Sequence, residues 1–398
     1  MTTIYEPPTT AAPGQTAPYH TWPGAGGPAG PGGPAGSGYG GGGGGRPTRR
    51  VPRLLVAATA AAVGLATFLG LHDAGLVMAT PAPLTTAQIA AKVSPGLVDV
   101  VSTLGYQQAK GAGTGMVLTS SGEVLTNNHV IDGATSISVT DIGNGRTYSA
   151  SVVGYDQHHD VAVLQLHGAS GLQTVSLGNS SGAAVGERVV ALGNAGGKGG
   201  APSVVTGKIV GTGASIGAAD QLAGTVEQLH GLIAHNAAIQ PGDSGGPLVN
   251  RYGQVIGIDT AGGRSQSGQT QGFAIPINQA VATARQIAAG TSSATVHIGP
   301  TGLMGVQVMH ASQAAANGVP AGSGAAVSGV LPSSPAAAAG LAGGDVITSV
   351  NGQRVTSPEG LQSALEPHHP GDQITVGWTD QQGQAHSGTV TLITGPAD

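Results

Sequence analysis

The sequence predicts a mainly β chain, a β-barrel or β-sandwich followed by a smaller α+β unit, preceded by a disordered tail and one membrane-crossing helix. Three observations carry that prediction. Short Val/Ile/Leu runs separated by Gly, Asn, Asp and Ser recur at 97–101, 114–118, 137–139, 150–154, 161–166, 188–192, 204–210, 254–258 and 272–275. A helical apolar spacing over 279–289 (Val281, Ala284, Ile287, Ala288) closes that series. Residues 24–45 are almost entirely Gly, Pro, Ala and Ser, which cannot bury enough apolar surface to fold.

In chain order, residues 1–53 read as a disordered, Gly/Pro-rich cytoplasmic tail. Residues 54–71 carry no charge and, at about 1.5 Å per residue, nearly cross a hydrocarbon core of roughly 30 Å. Arg46, Arg49, Arg50 and Arg53 precede that stretch, and no Lys or Arg follows until Lys92. The charge bias places the tail inside and everything after the span outside, with 54–78 a transmembrane helix or signal anchor. A cleaved signal peptide ending at Val77-Met78-Ala79 is the alternative, and it exports the rest equally. A short helix over 87–93 capped by Thr86 begins the β unit, which spans 79–290. Asn278 is placed as the cap of its closing helix. The second unit, 291–398, has strands expected at 306–309, 326–330, 345–350, 374–378 and 388–392. Its helix starts at Ser357-Pro358-Glu359, a cap, a first-turn proline and a first-turn acid, with Leu361 and Leu365 on one face.

Composition excludes several functions. Lys+Arg 14 against Asp+Glu 19 gives a net charge of −5, which offers no basic patch for nucleic acid. Zero Cys removes disulfides, zinc thiolates and thiol nucleophiles together. Gly207-Lys208 is followed by Ile, so no phosphate-binding loop forms and no nucleotide is called for. The adjacent pairs His158-His159 and His368-His369 point apart on a strand without an accompanying acid set, so no metal and no cofactor is assigned. His235 reads as structural.

The chemistry concentrates at Gly242-Asp243-Ser244-Gly245-Gly246-Pro247. Glycines let the backbone turn tightly and let a carbonyl approach the main chain. A serine there needs a base and an orienter. His129, in Thr126-Asn127-Asn128-His129-Val130, and Asp160, in His159-Asp160-Val161-Ala162-Val163-Leu164, supply them. His129 would take the Ser244 proton and return it to the leaving amine, and Asp160 would hold the imidazole tautomer. The N–H groups of Gly242 and Ser244 would form the oxyanion hole. The bare G-x-S-x-G of α/β-hydrolases requires a helix after the serine, whereas Pro247-Leu248-Val249 reads as strand.

These blocks, together with Gly113-Thr114-Gly115-Met116-Val117, Ala191-Leu192-Gly193-Asn194, Thr206-Gly207-Lys208-Ile209-Val210, the run from Asn236 to Asn250 and Gly272-Phe273-Ala274-Ile275-Pro276, resemble the HtrA/DegP family of trypsin-like serine proteases with a C-terminal PDZ domain. The layout of the N-terminus resembles its actinobacterial, membrane-anchored members. The resemblance implies a chymotrypsin-like double β-barrel, an ATP-independent endopeptidase of protein quality control and stress response, and misfolded or exported polypeptides as substrates. It also implies assembly as a homo-trimer or higher, and activation loops at 215–230, 240–243 and 262–271. Asp243 stands where many members have Asn, and Gln240-Pro241 where Arg-Gly is common. Ala238, six before the nucleophile, takes the floor of the S1 pocket, which favours small or medium aliphatic P1 residues over Lys or Arg. Met304, Gly305 and Val306, within Leu303-Met304-Gly305-Val306, match the carboxylate-binding loop of a PDZ domain, with the following strand open to peptide C-termini. A PDZ-bearing chaperone or stress sensor with little proteolysis is the alternative function.

Overall fold

A computed structural model of the chain describes residues 82–219, 226–264 and 270–397. The expected tail and the span at 54–78 lie outside the described residues, as do parts of two expected loops, 220–225 and 265–269. Among the described residues no helix is long and apolar enough to cross a membrane.

Helix α1 (Thr86–Val93) opens the described chain. Its cap is Thr85, one residue earlier than the sequence suggested. Thr85 and Gln88 form a reciprocal capping box that Thr86 has no partner to make. Six strands then form one closed sheet: β1 (Leu97–Leu104), β2 (Ala109–Val117), β3 (Glu123–Thr126), β4 (Ser136–Asp141), β5 (Thr147–Asp156) and β6 (Val161–Leu166). The order is β5-β4-β1-β2-β3-β6, and β6 pairs back onto β5. A second closed barrel follows from β7 (Arg188–Gly193), β8 (Ser203–Ala219), β9 (Val226–His235), β10 (Pro247–Val249), β11 (Val255–Arg264) and β12 (Thr270–Pro276). The alternation read in the sequence therefore closes into barrels, not an open sandwich, and closure removes the unpaired edges.

Side-chain periodicity sorts the apolar residues. Val98, Val100, Val117, Val124, Val139 and Leu164 fill the first barrel. Val189, Ala191, Ile209, Ile233, Leu248 and Ile256 fill the second. Their strand neighbours point the other way, as period two requires. Leu97, Met116, Leu125, Val190, Leu192 and Val249 meet between the barrels. Helix α2 (Ile277–Ala288) covers that seam with Ile277, Ala280, Ala284 and Ile287. It starts one residue before the expected cap. Asn278 lies inside it, and its amide instead donates to Asn179 Oδ1 at 2.8 Å, tying the helix to the 179–181 turn.

Strand β13 (Val296–Ile298) pairs antiparallel with β5 and leads into the second domain. There β14 (Gly302–Leu303), β15 (Val306–Val308), α3 (Ala311–Ala316), β16 (Ala325–Val330), α4 (Pro335–Ala339), β17 (Val346–Val350), β18 (Gln353–Arg354), α5 (Pro358–Leu365), β19 (Gln373–Thr379), β20 (Ala385–Thr391) and β21 (Ile393–Thr394) follow in turn. The main sheet runs β15-β16-β17-β19-β20, which leaves β15 at an edge. Ser357 caps α5 as read, accepting from the N–H of Gly360 at 3.1 Å. Leu361 and Leu365 bury into the core with Val306, Ile347 and Val376.

Candidate active site

The first barrel carries His129 and Asp160, the candidate base and its orienter. His129 sits in a single 3-10 turn, Asn128–Val130, after β3, and Asp160 ends the tight β5–β6 turn. His129 Nδ1 donates to Asp160 at 2.9 Å (Oδ2), and the backbone N–H of His129 donates to Oδ1 at 3.0 Å. Asp160 is buried, with a left-handed φ of 52° that only a few non-glycine residues here adopt. Its conformation is fixed from both sides: its N–H donates to Gln157 O at 3.0 Å, and its carbonyl accepts from Asn127 Nδ2 at 2.8 Å. Such backbone strain persists only where its surroundings hold it.

The second barrel carries Ser244, the candidate nucleophile. Ser244 lies between β9 and β10, and its hydroxyl donates to the carbonyl of Thr260 at 3.1 Å. The Thr260 hydroxyl in turn donates to Asp160 Oδ2. One β11 residue therefore touches both the orienter and the nucleophile. No hydrogen bond joins Ser244 to His129 among the described residues. A turn about the serine Cα–Cβ bond would re-aim the hydroxyl. Thr260 was not legible in the sequence, because a Thr sixteen residues after the serine carries no local pattern of its own.

The nucleophile loop is held open by its neighbours. Gly242 has φ 97°, and a Cβ there would run into the carbonyl of Asn194, so glycine is required. The carbonyl of Gly242 accepts from Thr114 Oγ1 at 2.8 Å. Neither the Gly242 nor the Ser244 N–H has an acceptor among the described residues. Asp243 is buried and spent within the loop: Oδ1 accepts from Ser203 Oγ at 2.9 Å and Oδ2 from the Gln240 N–H at 2.8 Å. It thus shapes the loop.

Ala238 is exposed on the segment leading into this loop. Beside it, Ile239 leans on β11, its Cγ1 2.6 Å from where a Cβ on Gly262 would sit. Below, His235 Nε2 stands 2.9 Å from Asp259 Oδ1, both side chains fully buried. Burial pushes the Asp259 carboxyl up, and the His235 imidazole beside it pulls it back. Ile239 and Asp259 were also missed by sequence reasoning. Of the adjacent histidines, His159 Nδ1 pairs with Asp156 at 2.7 Å and His369 Nε2 donates to the carbonyl of Ile298 at 2.8 Å.

In the second domain, Met304 and Gly305 form the link between β14 and β15. Neither N–H has an acceptor among the described residues. Gly305 has φ 84°, and a Cβ there would strike Ser334. The Met304 carbonyl is already taken by the Ala336 N–H at 2.9 Å, and that of Gly305 by Leu331 N–H at 2.9 Å. The two carbonyls face into the fold and the two N–H groups are left over beside the free edge of β15.

The barrels, the His–Asp–Ser arrangement and the loop N–H groups define a trypsin-like peptidase domain, and the sheet with an open edge beside a helix defines a PDZ domain. Family models agree: a trypsin-like peptidase domain matches residues 113–258 and a PDZ domain matches residues 302–380. The chain belongs to the HtrA/DegP family of trypsin-like serine proteases with a PDZ domain. It is 39% identical over 280 residues to a probable periplasmic serine protease do/HhoA-like of Haemophilus influenzae, covering 70% of this chain and 57% of that protein. It is 37% identical over 277 residues to the periplasmic serine endoprotease DegP of Escherichia coli K12, covering 69% and 56%. Serine protease PepD of Mycobacterium tuberculosis is 33% identical over 330 residues, covering 78% and 66%. The chain spans 56% to 66% of the length of the last two.

Proposed function

We propose that this chain is an ATP-independent serine endopeptidase of the HtrA type that acts outside the cytoplasm on misfolded or exported polypeptides. The observation that carries the reading is the connected set Asp160, His129, Thr260 and Ser244, beside two loop N–H groups with no acceptor among the described residues. The Ser244 Oγ attacks the scissile carbonyl while His129 Nε2 takes its proton. The Gly242 and Ser244 N–H groups receive the carbonyl oxygen as it becomes an oxyanion. His129 then hands the proton to the leaving amine, and water repeats the sequence on the acyl-enzyme. Asp160, fixed by Thr260, keeps the Nδ1 proton in place.

P1 residues are small or medium aliphatic, because Ala238 brings no charge to the pocket. The PDZ domain captures peptide C-termini through the Met304 and Gly305 N–H groups, with the bound peptide adding to β15 at Val306. The Arg-flanked span tethers the enzyme to the membrane, and the working form is a homo-trimer or higher. Fluorophosphonate labelling with Ser244→Ala as background, followed by casein digestion, tests the enzyme reading. Labelling that requires Ser244 is the expected result. Labelling no greater than that of Ser244→Ala, with casein intact, overturns it in favour of a chaperone or sensor.

A further inference from the structure

The register of β11 against β12 places Gly262 opposite Gly272 and Asp259 opposite Ala274. Directly paired residues share a face of the sheet, as do alternate residues along a strand. A bulge between Asp259 and Ala261 keeps this phase. Asp259, Ala274, Gly272 and Gly262 therefore share one face. His235, the last residue of β9, pairs with Gly272 of β12 and so shares that face, and the segment that follows it lays Ile239 over Gly262 before reaching the N–H groups offered to the reacting carbonyl. A P1 side chain bonded beside that carbonyl has to enter between this segment and β11.

Two opposed glycines on such a face would leave it deep, but here the depth is filled. The ring of His235 lies directly over Gly272, where a Cβ would collide with it, and Ile239 lies over Gly262. His235 reaches across to Asp259, 2.9 Å away, and neither is exposed at all (0%). By hydrogen-bond geometry none of the four polar atoms, His235 Nδ1 and Nε2 and Asp259 Oδ1 and Oδ2, has a partner among the described residues, so the 2.9 Å contact is one of charge and proximity. The other acid nearby, Asp243, is satisfied by Ser203 and Gln240 and does not compete for the imidazole.

We propose that His235 is a specificity-determining residue, a plug that closes the deep end of the S1 pocket and covers the carboxylate of Asp259. The proposal rests on the endopeptidase reading and deepens it. The pocket is shallow because His235 occupies its base, so P1 is confined to small aliphatic residues. The chain nevertheless carries an acid on the pocket face. Lys and Arg are refused because His235 stands between them and Asp259. Removing the imidazole deepens the pocket and puts a carboxylate at its base, and that carboxylate attracts a basic P1 side chain.

Cleavage of a P1-varied peptide library by the full chain, corrected for active sites by fluorophosphonate titration, tests this. The wild type is expected to favour Ala and Val and to lose at least about tenfold in kcat/KM on going to Phe at P1. His235→Ala is expected to raise Lys and Arg cleavage relative to Ala by at least about tenfold. His235→Ala/Asp259→Asn should lose the gain for Lys and Arg but keep improved cleavage after Leu and Phe. A merely structural pair would lower the titratable fraction and leave the P1 profile as it was, so an unchanged profile in His235→Ala overturns the proposal. Should that variant not fold, the wild-type series decides: equal rates for Val, Leu and Phe overturn the plug. Wild-type protein that labels but shows no such discrimination refutes the plug alone. Wild-type protein that does not label refutes the endopeptidase reading beneath it.

Discussion

Asp243 and Asp160 are both buried beside Ser244, yet their carboxylates serve different ends. Asp243 takes the hydroxyl of Ser203 and the N–H of Gln240, so it fixes the curve of the loop whose Gly242 and Ser244 N–H groups have no acceptor among the described residues. Asp243→Ala leaves both donors unmet and lets the loop relax. A fall in kcat of about 10²-fold with KM little changed is the expected outcome in peptide amide hydrolysis, the scale of losing one oxyanion donor. Asp160→Asn keeps the shape but fixes the wrong imidazole tautomer, and kcat should fall by about 10⁴-fold. A circular dichroism spectrum equal to wild type would show that the loss is chemical. His129, Asp160 and Ser244 were singled out as candidates because each sits beside an apolar strand in a motif of a few residues. Thr260, His235 and Asp259 were not, because their roles arise from the register of β11 against distant segments. A sequence displays strand alternation, but not which strand lies opposite.

The same limit operates on whole elements. Helix α5 could be read from Ser357-Pro358-Glu359 because capping is local, and its cap is where the sequence put it. The β8–β9 hairpin could not. The sequence suggested a strand ending at 210, whereas β8 runs to Ala219 and β9 returns from Val226. Register shifts at Ile209/Gly211, Thr212/Ala214 and Ala214/Ile216 break the alternation that marks a strand. At the β14–β15 link, local reading singled out Gly305, whose φ of 84° is what lets successive N–H groups turn outward. If this link binds a peptide carboxylate, a fluorescent peptide with a free C-terminus will bind and its C-terminal amide will not. Gly305→Ala should weaken binding at least about tenfold, because the strained φ and the clash with Ser334 close the loop. Equal anisotropy for acid and amide peptides would remove the carboxylate from the argument.

At the scale of the molecule, the two folded domains share a continuous seam. Strand β13 adds to β5, and the C-terminal segment returns to the first barrel, where the Ala397 N–H donates to the Ala134 carbonyl at 2.7 Å. Three rings stack across it: Tyr155 on His297 at 5.0 Å between centroids, and His297 on His369 at 4.8 Å. His297 is buried there, and burial, aided by the positive charge that His369 can carry, brings its pKa down to about 4. The same burial pushes the Tyr155 hydroxyl up, with Glu366 and Asp132 adding to it, so the phenol stays neutral across the physiological range. The sign follows from the direction. A histidine held neutral in the fold stabilises the seam fully above its ordinary pKa of about 6.5. That contribution is lost as the pH falls from there towards about 4, because the separated state binds the proton more readily. Hydrogen exchange of β13 and of residues 395–397 should therefore be slow at pH 7 and quicken markedly by pH 5, before the barrel strands respond. His297→Phe keeps a ring between Tyr155 and His369 but has nothing to protonate, so its seam should exchange at nearly the same rate at both values, after correction for intrinsic rates. If wild type and His297→Phe quicken in parallel, the acid sensitivity of the seam arises elsewhere, with His159 against Asp156 at the end of β5 the next group to replace.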